Sequence, residues 1–164
     1  MTTIDLRADC ANCAALCCIT LAFDRSTLFA IDKAAGEPCP HLDACGACTI
    51  HAERAERGFQ GCVNFDCLGA GQRVTQALFG GRSCMADRSL IGPMSEAFSS
   101  LLPAHQMLSL LDTAGHLNLS SADRQALNAL RKAIEDAGTP AGQLDALRPR
   151  VDAFLHGLRP YVEH

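Results

Sequence analysis

The first of three cysteine groups that organise this chain is Cys10-Ala-Asn-Cys13-Ala-Ala-Leu-Cys17-Cys18. The second is Cys39-Pro-His-Leu-Asp-Ala-Cys45-Gly-Ala-Cys48-Thr-Ile-His51, and the third is Gly61-Cys62-Val-Asn-Phe-Asp-Cys67. They hold nine of the ten cysteines of a 164-residue chain. A Cys-x-x-Cys pair places two thiolates on one local turn, where both reach one ion at a Zn–S distance of about 2.3 Å. Two such pairs, a vicinal pair and a spaced Cys62/Cys67 predict thiolate coordination of metal.

Eight cysteines form the expected ligand set, because each belongs to one of these spaced pairs or groups. They are Cys10, Cys13, Cys17, Cys18, Cys39, Cys48, Cys62 and Cys67. Eight thiolates fill two tetrahedral sites, or one cluster site with spares. Sulfur ligation favours Zn(II), Cu(I) or iron–sulfur and disfavours Mg, Ca and Mn. We predict zinc, with iron or a 4Fe–4S cluster as the alternative.

Four further residues have the chemistry of ligands without an equally clear pattern. Cys45 forms a Cys-x-x-Cys unit with Cys48, and is either a ninth ligand or a replacement for one of the eight. His41 and His51 lie within reach of the second group, but with enough sulfur nearby such histidines more often support a ligand or lie on the surface. Cys84 stands alone and is expected to be a buried apolar residue.

Composition bounds the cellular setting of the protein. Formal charge is −4, and residues 1–84 and 85–164 each carry 7 basic and 9 acidic side chains. No basic face favours nucleic acid, and no apolar run reaches the length of a membrane span. Charges near the N-terminus argue against a signal peptide. We therefore expect a cytoplasmic protein, where thiols stay reduced and metal ligation is favoured over a disulfide framework.

The expected fold class is mainly α: a cysteine-rich metal-binding lobe over residues 1–84, then a small helical bundle over residues 85–164. Residues 19–23 and 27–31 have β-leaning composition and predict at most a small hairpin. In the second half, apolar residues recur at spacings of three and four. Gly115 and Gly138 are expected to end helices, Ser120 to begin one, and Pro149 to separate the last two.

The cysteine pattern resembles the YkgJ-like family of zinc- or iron-chelating cysteine-cluster proteins, and the cysteine-rich segment of flagellin lysine methylases is similar. A closer resemblance is to the N-terminal region of some bacterial pentapeptide-repeat proteins, in the segments Gly58-Phe-Gln-Gly-Cys62, Asp66-Cys67 and Gly69-Ala-Gly71-Gln72. This resemblance implies that the eight cysteines are chelating positions. It also implies a bacterial metal module with a helical bundle and without the pentapeptide repeats themselves.

These patterns predict a metal-binding protein in which the metal is structural or regulatory and the bundle binds a protein partner. No nucleophile elbow, His-Glu-x-x-His motif or phosphate-binding loop is present, which favours a non-enzyme. The alternatives are an iron–sulfur redox or enzyme-accessory protein and a metal store or chaperone. We expect neither a nucleic acid nor a membrane as partner, and the oligomeric state stays open.

Overall fold

A computed structural model describes residues 4–137 and 141–162 of the chain. Over these residues the chain is mainly helical, as predicted, and has isolated β-bridges in place of a sheet. The α-helices are α1 (Leu16–Thr20), α2 (Gln60–Asn64), α3 (Ala70–Gln72), α4 (Ile91–Gly115), α5 (Ser121–Ala137) and α6 (Ala141–Gly157). Helix α3 continues directly into a π-helix, Arg73–Leu78. Short 3-10 helices occupy Cys10–Asn12, His51–Glu53, Arg88–Leu90 and Arg159–Tyr161.

Neither of the two short strands that the β-leaning segments 19–23 and 27–31 allowed is formed. Helix α1 occupies the first part of that segment, beginning after Ala15, whose φ is 57°. Leu16 and Ile19 lie three positions apart and both are fully buried, so packing on one helix face overrides the β-leaning composition. What remains of the expected hairpin is one antiparallel bridge, in which Phe23 and Lys33 exchange N–H···O bonds of 3.0 and 2.8 Å.

The chain divides into two compact units, each described by itself below. We name Arg7–Ser99 the cysteine unit, and Ser100–His164 together with Met1–Leu6 the helical unit. The division lies within the long helix α4. No helix among the described residues is long and apolar enough to cross a lipid bilayer.

The helical unit is built from amphipathic helices, as the spacing of apolar residues predicts. On α5, Leu127, Leu130 and Ile134 are buried at spacings of three and four. Helix α4 ends at Gly115, and Ser120 caps α5 by accepting a 3.1 Å hydrogen bond from the backbone N–H of Asp123. The core is completed by further buried residues of α4, α5 and α6 and by Leu158, which follows α6: Ala104, Met107, Leu108, Leu111, Ala114, Ala137, Leu144, Leu147, Val151 and Leu158.

The prediction that Pro149 separates two helices is wrong, because α6 runs continuously through it. Proline has no N–H and so removes one intrahelical hydrogen bond. Leu144, Leu147 and Val151 nevertheless continue one buried stripe past it. Burial of that stripe favours a continuous helix over a break. The predicted helix end at Gly138 lies outside the described residues.

The cysteine unit holds its loops together with a small apolar core rather than with regular secondary structure. Buried Leu16, Ile19 and Phe59 belong to this core. The rings of Phe23 and Phe29 stack with centroids 4.2 Å apart. Because α1 and α2 are only five residues long, the positions of most cysteines depend on loop contacts.

Candidate metal centre

All eight cysteines of the expected ligand set line one cavity of the cysteine unit, with a volume of about 450 Å³. They come from three separated segments of the chain, and all ten cysteines are free thiols. Aromatic and aliphatic side chains cover much of the remaining wall, while His41, His51 and Arg54 are its polar members. The fold thus brings together the thiols that the spacing singled out.

The two remaining cysteines lie apart from the lining of this cavity. Cys45 is exposed on a turn, where its backbone N–H donates to the Asp43 carboxylate over 2.8 Å. Cys84 is fully buried, and its Sγ donates to the Met94 Sδ over 3.2 Å. The structure therefore places Cys84 as the packed apolar residue expected of it, and separates Cys45 from the eight.

Helix α3 and the π-helix clamp the loop that carries the first cysteine pair. Gln72 accepts from the Asp9 N–H at 3.0 Å and donates to the Arg7 carbonyl at 2.6 Å. Thr75 Oγ1 accepts from the Ala14 N–H at 2.9 Å, and Gln76 donates to the carbonyl of Asn12 at 2.9 Å. These side chains fix the backbone on both sides of Cys10 and Cys13. A π-helical turn beside a functional loop is a common association.

Gly71 lies where two of the predicted ligands meet. A Cβ added at this glycine would lie 2.6 Å from the Cys13 Sγ and 3.9 Å from the Cys67 Sγ. Both sulfurs therefore lie within 3.9 Å of one point. Any side chain at this position would displace the Cys13 thiol, so glycine is required here for close approach.

A second set of contacts brings the middle cysteines to the end of α1. The Cys39 N–H donates to the carbonyl of Cys18 over 3.0 Å. Leu42 and Cys48 form an antiparallel bridge, so the Cys39–Cys48 loop folds back on itself. His41 packs edge-on against Phe59, with ring centroids 5.0 Å apart. The histidine thus lines the cavity while its ring is used in packing.

Two positively charged side chains, Lys33 and Arg54, lie near the thiols. Lys33 is 6% exposed, and its Nζ donates to the carbonyls of Ile19, Ala34 and Glu37 over 3.2, 3.0 and 2.9 Å. Arg54 donates from Nε to the His51 carbonyl at 2.8 Å and from Nη1 to the Cys62 carbonyl at 3.2 Å. Their positive charges offset part of the negative charge that eight thiolates would bring into a largely apolar cavity.

Burial disfavours the thiolate form of several of these cysteines in the absence of metal. It raises the pKa of Cys13 and of Cys62 to about 11, and it raises that of Cys39 as well. Cys17 and Cys18 behave oppositely because their sulfurs share a hydrogen bond of 3.9 Å. That bond raises the pKa of Cys17, where burial acts in the same direction. It lowers the pKa of Cys18 to about 7, where burial acts in the opposite direction.

Metal binding is expected to be lost on acidification. A cysteine must be deprotonated to bind metal, so protons compete with the ion for each thiolate. Burial opposes that deprotonation further, because it raises the pKa of Cys13 and Cys62 to about 11. Metal-bound protein should therefore lose stability as the pH falls.

The melting temperature of the metal-loaded protein, measured against pH, checks this prediction. It should fall as the pH is lowered below neutral, together with the bound metal. A metal-loaded protein whose melting temperature rises on acidification would contradict the expected result.

The donor set suits a thiophilic metal, and its geometry sets a condition on how one binds. Among the residues that the structure describes, no three His, Cys, Asp or Glu side chains are arranged so that they could hold a metal ion. The sulfurs instead line a space of about 450 Å³, far larger than one ion occupies. A single zinc ion must therefore draw its ligands inward, whereas an iron–sulfur cluster fills more of the space with its own iron and sulfide.

Comparison with known proteins found one relative of similar sequence. The chain is 34% identical over 131 residues to a protein of Bacillus subtilis (strain 168) named "Uncharacterized protein YybG". The alignment covers 80% of this chain and 47% of the relative, so the chain spans about half the length of the curated protein it matches. No protein-family model matches the chain, and no solved structure matches it. The resemblance to the YkgJ-like family stays a prediction.

Several residues that shape the cavity were not identified from sequence. Gly71 and Gln72 belong to a segment identified only through its resemblance to the pentapeptide-repeat proteins, and Thr75 belongs to no motif. Lys33 and Arg54 carry no motif. The signal available for Lys33 was weak: it is one of only two lysines in the chain and lies between two apolar stretches.

Proposed function

We propose that the cysteine unit is a thiolate metal-binding module, which binds zinc or iron in a structural or regulatory role. One observation supports this proposal above all: the eight cysteines with ligand spacing line a single cavity. They come from three separate segments of the chain, of which the first begins at Cys10 and the last ends at Cys67. Closed four-thiolate sites leave no coordination position for a substrate, which favours a role other than catalysis.

An iron–sulfur cluster is the second candidate, and it has its own support. The cavity is wide and no three described ligand side chains are arranged to hold one ion. A cluster separates its thiolate ligands more widely than a single ion does. On this alternative the protein is a redox component or an enzyme accessory. The partner-binding role of the helical unit stays a prediction.

The test is the metal content of matched cysteine variants, purified in parallel under anaerobic reducing conditions. Cys48→Ser is expected to lose metal, because Cys48 lines the cavity. Cys84→Ser and Cys45→Ser are the matched controls and should keep the metal content of the unmodified protein. Equal metal content in Cys48→Ser and the unmodified protein would contradict the proposal. More than two ions per chain, easily lost to a chelator, would instead indicate a metal store.

A further inference from the structure

The thiols of Cys17 and Cys18 converge at one place in the cavity wall. Both residues belong to helix α1, and both line the cavity. Successive side chains of a helix project about 100° apart, yet the sulfurs of Cys17 and Cys18 lie only 3.9 Å from each other. The two side chains therefore turn towards a common space rather than towards separate sides of the helix.

The separation of these two sulfurs matches the coordination shell of a single ion. Zinc binds four thiolates in a tetrahedron at about 2.3 Å, so two sulfurs on the same ion lie about 3.8 Å apart. The 3.9 Å between the two Sγ atoms is nearly this distance. Four cysteines hold a 4Fe–4S cluster with one thiolate on each iron, which keeps the sulfurs of its ligands farther apart. The observed separation therefore suits a shared metal atom.

Contacts on both sides of the pair hold helix α1 in place. Leu16 and Ile19, which flank the two cysteines, are fully buried. The carbonyl of Cys18 accepts from the Cys39 N–H at 3.0 Å, and the carbonyl of Ile19 accepts from the Gly36 N–H at 2.9 Å. This anchored backbone keeps the two thiols close together, which reduces the entropy lost when both bind one metal atom.

The remaining ligands are not assembled in the same way. Among residues 4–137 and 141–162, no three His, Cys, Asp or Glu side chains are arranged so that they could hold one ion. The pair thus supplies two ligands with little change in the distance between them, whereas further thiolates have to approach from the surrounding loops.

We propose that Cys17 and Cys18 bind the same metal atom, as a two-thiolate chelate on one side of the metal centre. This inference rests on the proposed metal-binding function and specifies two ligands that share an atom. It favours a centre in which each metal atom takes at least two thiolates, such as mononuclear zinc or a 2Fe–2S cluster. It disfavours a 4Fe–4S cluster at this pair, because each iron of such a cluster takes one.

Cadmium-113 bound to the unmodified protein tests this proposal directly, without a mutation that could prevent folding. Each cadmium resonance correlates through bonds with the β-protons of the cysteines that bind that ion. The expected result is one cadmium resonance that correlates with both Cys17 and Cys18. Correlation of the two residues with two different cadmium resonances, or of only one of them with cadmium, would overturn the proposal.

Cobalt titration of variants provides a second measurement. Cys17→Ser and Cys18→Ser should each lose the thiolate–cobalt absorption of the shared site, and the double variant should lose no more than either single variant. Cys45 is exposed, so Cys45→Ser is the matched control and should keep the full absorption. A double variant that loses the sum of the two single losses would show that the thiols bind separate ions. If the unmodified protein binds neither cadmium nor cobalt, the proposed metal-binding function itself fails.

Discussion

Removing metal with a chelator is expected to unfold the cysteine unit and leave α5 and α6 helical. The cysteine unit depends on loops, on helices of five residues and on isolated bridges, so bound metal supplies much of its stability. Structural zinc in small modules contributes on the order of 10 kcal/mol. The helical unit has a continuous apolar core of its own.

Amide hydrogen exchange before and after chelation measures this effect residue by residue. Protection of the Cys39 amide, which bonds to the Cys18 carbonyl at 3.0 Å, should disappear. Protection within Ser121–Ala137 should persist and serves as the internal control. An unchanged Cys39 amide in fully metal-free protein would show that the unit folds without metal.

Lys33→Met is expected to destabilise the cysteine unit by about 2–3 kcal/mol. The ammonium group donates to three backbone carbonyls, at 2.9, 3.0 and 3.2 Å, and the side chain is 6% exposed. Methionine keeps a similar length but donates nothing, so these carbonyls lose their charged partner. The carbonyls of Ile19 and Ala34 keep a backbone N–H donor, from Gly36 and Glu37, and the loss of hydrogen bonds to a charged group costs about 1.5–3 kcal/mol. Loss of the positive charge near Cys39 and Cys18 should also weaken metal binding.

The chain offers a matched control, because its other lysine is exposed. Lys132 forms an ion pair of 2.7 Å with Asp136 on the surface of α5, and such pairs contribute little. Denaturant unfolding of both metal-loaded variants should show a large decrease in midpoint for Lys33→Met and almost none for Lys132→Met. Equal midpoints would show that the buried ammonium group is not needed for stability.

Sequence periodicity predicted the helical unit well because its stability comes from one repeated pattern. Leu127, Leu130 and Ile134 point inward at helical spacing, and Ser120 caps the helix that carries them. Pro149 was misjudged because local proline chemistry was weighted above the buried stripe on both sides of it. Burial along a whole helix outweighs one missing hydrogen bond.

The cysteine unit could be predicted only in its donor chemistry. Spacing identified the eight thiols that line the cavity, but it contains no information on which of them face each other. Which thiols face each other depends on contacts between residues that are distant in sequence. Examples are the close approach of the Cys13 sulfur to Gly71 and the hydrogen bond from the Cys39 N–H to the Cys18 carbonyl. The β-leaning composition after Cys18 suggested a strand for a similar reason. The burial of Ile19 beside Leu16 on one face of α1 favours a helix there, and composition does not contain that information.

The most direct test of the central claim is the content of zinc, iron and acid-labile sulfide in unmodified protein, freshly purified under anaerobic reducing conditions. The account predicts tightly bound metal: zinc without sulfide if the centres are mononuclear, or iron with sulfide if they are clusters. Protein free of thiophilic metal, with all eight cavity thiols freely reactive or paired as cystines, would contradict it.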